Sequence, residues 1–247
     1  MAELFRAVSL SHIFPDRGIG IDSISLSIEE GEFLLVAGRN GAGKSLLMRH
    51  FVGLSKPSAG EILYRGIPIA LQIPLIRREV GYVFQDTEAQ VFGLTVGEDL
   101  AFGPANLGIK GSKLDAVIKK ALAQAHLEGM ENRSPGSLSG GEKRRLAIAG
   151  VLAMQPRCII LDEPFANLDY PSVQEILEVF GTLHSDGKTL IVLTHEIEKV
   201  FSLASRLLIL DCGKIVFDGL PGEATIGLFL RSGLVCPYQE GYPWLIE

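Results

Sequence analysis

No stretch of this chain approaches the roughly 18 consecutive apolar residues that a membrane-crossing helix needs. Yet 47 % of its 247 residues are hydrophobic, an ordinary share for a globular protein, so the apolar content is broken into short runs that suit a core. The opening Met1-Ala2-Glu3-Leu4-Phe5-Arg6 has no apolar run suited to a signal peptide, and the sequence therefore predicts a soluble chain that stays in the cytosol. Positive charge is also short: 23 Lys and Arg against 29 Asp and Glu leave a net charge of −6. That is the wrong sign for a nucleic-acid partner, whose phosphates select basic faces. The longest basic cluster, Lys143-Arg144-Arg145, reads as a solvated helix face. Cys158, Cys212 and Cys236 lack metal-ligand spacing and, being three, cannot all pair; buried or incidental thiols suit them better than redox or metal chemistry. Internal repeats and low-complexity tracts are absent. The length suits one large α/β domain or a core with a smaller subdomain.

Glycine, by contrast, is plentiful, and it is concentrated where it matters in Gly38-Arg39-Asn40-Gly41-Ala42-Gly43-Lys44-Ser45. This octet fits G-x-x-x-x-G-K-S/T, the loop that wraps nucleotide phosphates. Glycines at 38, 41 and 43 open backbone conformations closed to other residues, so successive N–H groups can turn inward on one anion. Lys44 adds a point charge for the outer phosphates, and the Ser45 hydroxyl is placed to ligate Mg²⁺. Glu32 to Ala37, just before the loop, reads as a continuous apolar run, as expected of a strand buried on both faces. After it, Leu46, Leu47, Phe51 and Leu54 form a helical stripe. Strand, glycine loop and helix N-terminus make an anion site with the helix dipole behind it.

Residues 3–10 and 21–28 read as strands around a loop at 14–20, and Glu61 to Tyr64 as a short strand. Val80 to Phe84 is a further apolar run. Between about 86 and 155 the texture turns helical, with helices predicted over Glu98 to Phe102, Lys113 to His126 and Ser139 to Met154. Strands resume at Cys158 to Leu161 and Thr189 to Leu193, separated by a helix from Pro171 to His184 that a proline opens. Arg206 to Leu210 and Lys214 to Phe217 suggest a hairpin around Asp211-Cys212-Gly213. The closing stretch, 221–247, carries little signal, and Trp244 there reads as packing.

Four apolar runs end in polar residues: 32–37 at Gly38, 80–84 at Gln85, 158–161 at Asp162-Glu163, and 189–193 at Thr194-His195. Open α/β sheets bind ligands beyond the C-terminal ends of parallel strands. If these strands are parallel neighbours, one rim carries the inventory of metal-assisted phosphoryl transfer. Asp162 suits a metal contact, Glu163 the polarisation of an attacking water, Gln85 a touch on both, and His195 a reach to the γ-phosphate. Taken singly, His195 would suit a cap or a surface residue and Gln85 a polar loop; their coincidence on strand ends favours function.

Leu138-Ser139-Gly140-Gly141-Glu142, followed by a helix, resembles the signature of the ATP-binding-cassette ATPases. The chain is similar to that family in order and spacing from about residue 4 to 220. The resemblance implies an α/β fold: a P-loop nucleoside triphosphate hydrolase core with an antiparallel β subdomain and an inserted α-helical subdomain at about 86–155. It implies one domain over 1–220 and a tail over 221–247. Gly38 to Ser45 stands as Walker A, Gln85 as the Q-loop, Cys158 to Asp162 as Walker B, Glu163 as the catalytic glutamate, Asn167 to Asp169 as the D-loop and His195 as the switch histidine. The implied cofactors are ATP and Mg²⁺. ATP would contact Phe14, Gly38, Asn40, Gly41, Gly43, Lys44, Ser45 and Leu46 of one subunit and Ser139, Gly140 and Gly141 of the other, in a head-to-tail dimer. Ser45, Gln85 and Asp162 would hold the metal.

Gln85 to Phe92, continuing through Thr95-Val96 and Ala101-Phe102-Gly103-Pro104, and Lys143 to Met154 after the signature resemble the energy-coupling-factor, cobalt-type importer ATPases. These drive uptake of vitamins or transition-metal ions. The implied partners are integral membrane transporter subunits and a second ATPase, in a homodimer or a heterodimer, at the cytoplasmic face of the membrane, with no nucleic acid. Another transporter class is the alternative, and a cassette ATPase acting on DNA or ribosomes a further one. Four positions depart from the family pattern: Arg39 for proline, Leu46 for a hydroxyl residue, Phe165 for threonine and Asn167 for glycine or serine. Leu46 removes one α-phosphate contact, so the sequence predicts weakened nucleotide affinity.

Overall fold

The computed structural model describes residues 2–16 and 18–238; Trp244 lies outside them. β1 (Glu3–Phe14) and β2 (Gly18–Glu29) pair as an antiparallel hairpin, longer than the sequence predicts, with a turn of a few residues where a loop over 14–20 was expected. The strands run through two irregular positions, Ser9 at φ 46° and Ser23 at φ 51°. Serine hydroxyls replace the missing ladder partners there: Ser9 N donates to Ser25 Oγ and Ser23 N to Ser11 Oγ. That local repair lets the pairing continue past residue 10.

The chain then forms β3 (Phe33–Ala37), α1 (Lys44–Phe51), β4 (Ala59–Tyr64), β5 (Ile67–Pro68), α2 (Ile73–Glu79) and β6 (Val80–Val83). The helical stretch follows as α3 (Val96–Asn106), α4 (Ser112–Gln124) and α5 (Gly140–Ala153). β7 (Cys158–Asp162), α6 (Tyr170–Ser185), β8 (Thr189–Thr194), β9 (Arg206–Asp211), β10 (Lys214–Gly219) and α7 (Ile226–Arg231) complete the fold. One sheet is antiparallel, in the order β2-β1-β4-β5; the other runs β10-β9-β3-β8-β7-β6. In the second, β9, β3, β8, β7 and β6 are parallel and only β10 runs against its neighbour. β6, β3, β7 and β8 are therefore parallel companions, as the sequence argument required.

Alternation along the buried strands divides the core. Phe33, Leu35, Ala37, Ile159, Leu161, Leu190 and Val192 pack with α3 to α6 on one face. Leu34, Val36, Ile160, Ile191 and Leu193 pack on the other face with α1 and the four-stranded sheet. Parallel strands covered on both faces read as unbroken apolar runs for this reason.

Two expectations need correction. Lys143-Arg144-Arg145 is not a solvated face, because Arg144 and Arg145 are buried. Arg144 Nη1 donates to the carbonyls of Phe84 (3.3 Å) and Gln85 (2.9 Å), Arg145 pairs with Glu175 of α6, and Lys143 Nζ lies 2.7 Å from Glu88. Their charge is spent on neighbouring segments rather than on water. The stretch after 220 is also more than featureless chain, since Phe229, Leu234 and Cys236 join the larger core cluster.

Candidate active site

The phosphate loop leaves β3 at the middle of the six-stranded sheet and enters α1 without a side-chain cap. The first N–H groups of a helix have no partner within it, so those of Lys44 and its successors remain available to an anion. Gly38, at φ 152°, leaves no room for a side chain: a Cβ would fall 2.5 Å from the Leu210 carbonyl oxygen. The neighbouring strand β9 thus dictates glycine at this position. A cavity of about 450 Å³ opens over the loop, lined among others by Phe14, Asn40, Gly41, Lys44, Leu46 and Gln85. A second, of about 540 Å³, shares Ser45 and Gln85 with it and adds Arg49, Asp86, Asp162 and Asn167.

Lys44 is buried and its Nζ donates to the Gly38 carbonyl at 2.7 Å, folding the side chain back over the loop. The same ammonium lies 3.0 Å from Glu163 Oε1. Ser45 Oγ donates to Asp162 Oδ1 at 2.8 Å. The other Asp162 oxygen accepts from the Tyr82 hydroxyl, also at 2.8 Å. Burial raises the Asp162 carboxyl above its ordinary value, and the adjacent Glu163 charge adds to this; the Ser45 and Tyr82 hydrogen bonds and Arg49 act the other way. A bound cation would relieve this strain on the charged form. Ser45 and Asp162 offer hard oxygens, the donor type that small divalent cations take from protein while phosphate and water complete the shell.

Glu163 sits at φ 47°, a left-handed conformation that a non-glycine residue adopts only when its surroundings enforce it. They do so here. Its N–H donates to the Leu193 carbonyl at 2.8 Å. Its Oε2 accepts from Thr194 Oγ1 (3.0 Å), His195 N (3.3 Å) and His195 Nδ1 (3.0 Å). Since a carboxylate accepts, Nδ1 of His195 carries the proton. One buried carboxylate thus ties the end of β7 to the end of β8 and reaches Lys44 with its second oxygen.

Gln85 is exposed and lines both cavities, its backbone held by Arg144. Phe14 closes the far side of the first cavity together with Leu46: a Cβ on Gly20 would lie 2.6 Å from the Phe14 ring and 2.7 Å from Leu46 Cδ2. Phe14, Lys44, Ser45, Gln85, Asp162, Glu163 and His195 are therefore brought together. Ser139, Gly140 and Gly141 are not: they open α5 and line neither cavity. Ser139 caps that helix reciprocally with Glu142, its Oγ accepting from Glu142 N and its N–H donating to Glu142 Oε2. Gly141 is where α6 approaches, a Cβ there meeting Ser172 Oγ at 2.4 Å. Sequence reasoning missed the roles of Tyr82 and Arg49, and took Thr194 only as a polar strand end and Arg144 only as part of a basic cluster. Their partners lie on distant segments, which no local motif records.

A family model described as ABC transporter matches residues 21–166, more than half of the chain. The energy-coupling factor transporter ATP-binding protein EcfA of Methanocaldococcus jannaschii is 41 % identical over 85 % of this chain and 76 % of its own length. The protein of the same name from Methanothermobacter thermautotrophicus is 39 % identical over 87 % of this chain and 70 % of its own. Among solved structures, cbiO1 from Clostridium perfringens, part of the ABC transporter complex cbiONQ, superposes with a TM-score of 0.85. It is 32 % identical and the match covers 94 % of both chains.

Proposed function

This chain belongs to the ABC transporter family as an ATP-binding, ATP-hydrolysing subunit of the energy-coupling-factor type, and from that we propose how its residues divide the work. The observation that carries the reading is Glu163, which joins Lys44, Thr194 and His195 beside the Ser45–Asp162 pair. Lys44 and the α1 N–H groups bind the triphosphate, and Phe14 stacks on the base. Mg²⁺, held by Ser45 and Asp162 with Gln85 in reach, would neutralise charge on the outer phosphates. When phosphate takes Lys44, Glu163 Oε1 is released to accept a hydrogen bond from water and orient it towards the γ-phosphorus. His195 and Thr194 hold the other oxygen so that the carboxylate keeps its aim.

Ser139, Gly140 and Gly141 point to a second subunit. The Ser139–Glu142 cap takes the N–H groups of Ser139 and Glu142. The remaining N–H groups of that first turn, away from this chain's own phosphate loop, offer an anion site that a partner's nucleotide can fill, which gives a head-to-tail dimer. The membrane partner docks on the helical stretch. There Phe92 and Phe102 are largely exposed and flank a cavity of about 270 Å³ that also includes Tyr82, Val151 and Met154. Large exposed aromatics of this kind mark interaction sites. No helix among the described residues is long and apolar enough to cross a membrane. The likeness to cbiO1, part of the ABC transporter complex cbiONQ, supports action on separate membrane subunits, for which we propose the cytoplasmic face.

Glu163→Gln tests the assignment. Hydrolysis should fall by about 10² to 10⁴, the usual worth of a general base, while Mg-ATP still binds. The stalled protein should then run as an ATP-dependent dimer on size exclusion, and Ser139→Arg should block it. Normal turnover by Glu163→Gln would sink the catalytic role; inactivity without dimerisation, even with its partner ATPase supplied, would sink the head-to-tail arrangement.

A further inference from the structure

Beside the nucleotide cavity lies a pair of histidines to which the site as described gives no task. His12 is on β1, two residues before Phe14 and so on the same face of the strand. His50 is on α1 and fully buried. His50 Nδ1 lies 2.6 Å from the Leu46 carbonyl oxygen, and His50 Nε2 lies 3.0 Å from His12 Nδ1. A carbonyl can only accept, so Nδ1 of His50 carries the proton. Nε2 of the neutral ring is then bare and accepts from His12 Nδ1–H. Both tautomers follow from the backbone of α1. Burial holds His50 neutral by lowering its proton affinity.

The chain of contacts does not stop at His12. Its ring meets Phe14 edge-on, with centroids 4.6 Å apart and planes at 67°. On its other side Phe14 lies over Gly20, where a Cβ would approach the ring to 2.6 Å, and alongside Leu46. Phe14 stands at the end of β1, next to the hairpin tip, and is only half buried. Without a neighbour to hold it, an aromatic at such a position would sample several rotamers. The His12 ring stands against Phe14, and the Phe14 ring and the Leu46 side chain both lie over the Gly20 backbone.

We propose that His12 and His50 are positioning residues for nucleotide base recognition: the hydrogen-bonded pair fixes the Phe14 ring relative to α1, so the base platform and the phosphate loop keep one spacing. This rests on the reading that the base stacks on Phe14. The pair ties the four-stranded sheet, which carries the platform, to the helix that carries the phosphate site. The polar contacts of the pair run to each other and to the Leu46 carbonyl on α1, so the pair is expected to act on base affinity rather than on the phosphates.

Two ligands separate base from phosphate. ATP carries both, and inorganic tripolyphosphate only the second. Their affinities are measured on the full chain by calorimetry for the wild type, Phe14→Ala, His12→Asn and the double variant. Asparagine Nδ2 can keep the hydrogen bond to His50 while removing the ring that touches Phe14. His12→Asn is expected to weaken ATP about two- to tenfold, the worth of one aromatic contact, and to leave tripolyphosphate unchanged, which also shows that the loop is folded. KM for ATP should rise with kcat unaltered. The double variant should bind ATP no more weakly than Phe14→Ala alone, because His12 acts only through that ring. If Phe14→Ala weakens ATP while His12→Asn does not, or if the two losses add, the positioning role is wrong. If Phe14→Ala leaves ATP affinity intact, the base does not stack there and the underlying reading fails first.

Discussion

Lys44 illustrates how much a single side chain carries here. Its ammonium has three partners, the Gly38 and Arg39 carbonyls and Glu163, so removing it leaves a buried carboxylate without its cation. Lys44→Ala should weaken ATP by at least about tenfold, since hydrogen bonds to charged groups contribute roughly 1.5–3 kcal/mol; titration with a fluorescent nucleotide reads this directly. Leu46 behaves differently. The sequence reading treats it as a lost phosphate contact, and the structure adds that its side chain lies beside Phe14. Leu46→Thr should therefore tighten tripolyphosphate about tenfold or more, since a hydrogen bond to a charged phosphate oxygen contributes roughly 1.5–3 kcal/mol, and tighten ATP by less, as apolar packing against the proposed base platform is lost. Equal tightening of both ligands would show that Leu46 contributes nothing on the base side. His50 sets a pH limit. Burial lowers its pKa below the ordinary 6.5, against the opposing pull of the Leu46 and Lys56 carbonyls. A histidine depressed in the folded state contributes stability that is present above its unfolded pKa and lost as pH falls through the folded one. The melting temperature should thus decline below about pH 6.5, with a shallower decline in His50→Gln, which takes up no proton.

At the scale of elements, α5 is the member on which the rest depend. Its first turn is capped by Ser139 and Glu142, and its second holds Arg144 against the carbonyls of Phe84 and Gln85. Gln85 is thereby linked to the signature helix, and any shift of α5 carries the segment after β6 with it. Arg144→Met keeps the apolar stem and removes the guanidinium. Amide exchange over residues 84–90 should accelerate while that of β7 does not change; equal protection in both proteins would show that the latch carries no load. α7 is a short helix whose Phe229 is buried among Phe201 and Tyr238. Phe201 follows His195 by six residues, so the segment beyond 220 braces the region after β8. Phe229→Ala should cost about 3–5 kcal/mol in thermal or denaturant unfolding; a cost below about 1 kcal/mol would return α7 to the status of an accessory tail.

For the whole molecule, the expected behaviour is that of a subunit. Gentle solubilisation of membranes should recover it with an integral membrane protein. Phe102→Glu and Phe92→Asp, both largely exposed, should release that partner without altering ATP affinity. Recovery with ribosomes or nucleic acid instead would overturn the transport reading.

Much of this was open to inspection in the residue order. Continuous apolar runs at 33–37, 158–161 and 189–193 determined buried parallel strands, because a strand covered on both faces has no polar side to alternate with. The glycine-lysine-serine loop between a strand and a helix determined the phosphate site, because those constraints are local. What the residue order left undecided was non-local. Lys143-Arg144-Arg145 looks like a solvated run until the Phe84 and Gln85 carbonyls arrive from about sixty residues away. α2 buries only Ile76 and so has no stripe to read. The β1–β2 pairing continues past Ser9 and Ser23 only because hydroxyls on the opposite strand meet the bulged backbone. Glu163 could be suspected from its place after Asp162, yet its bond network to Lys44, Thr194 and His195 exists only once β3, β7 and β8 lie side by side. Periodicity and loop chemistry act over a few residues and are written in the chain, whereas the partner of a buried charge is chosen by the packing of strands that are distant in sequence.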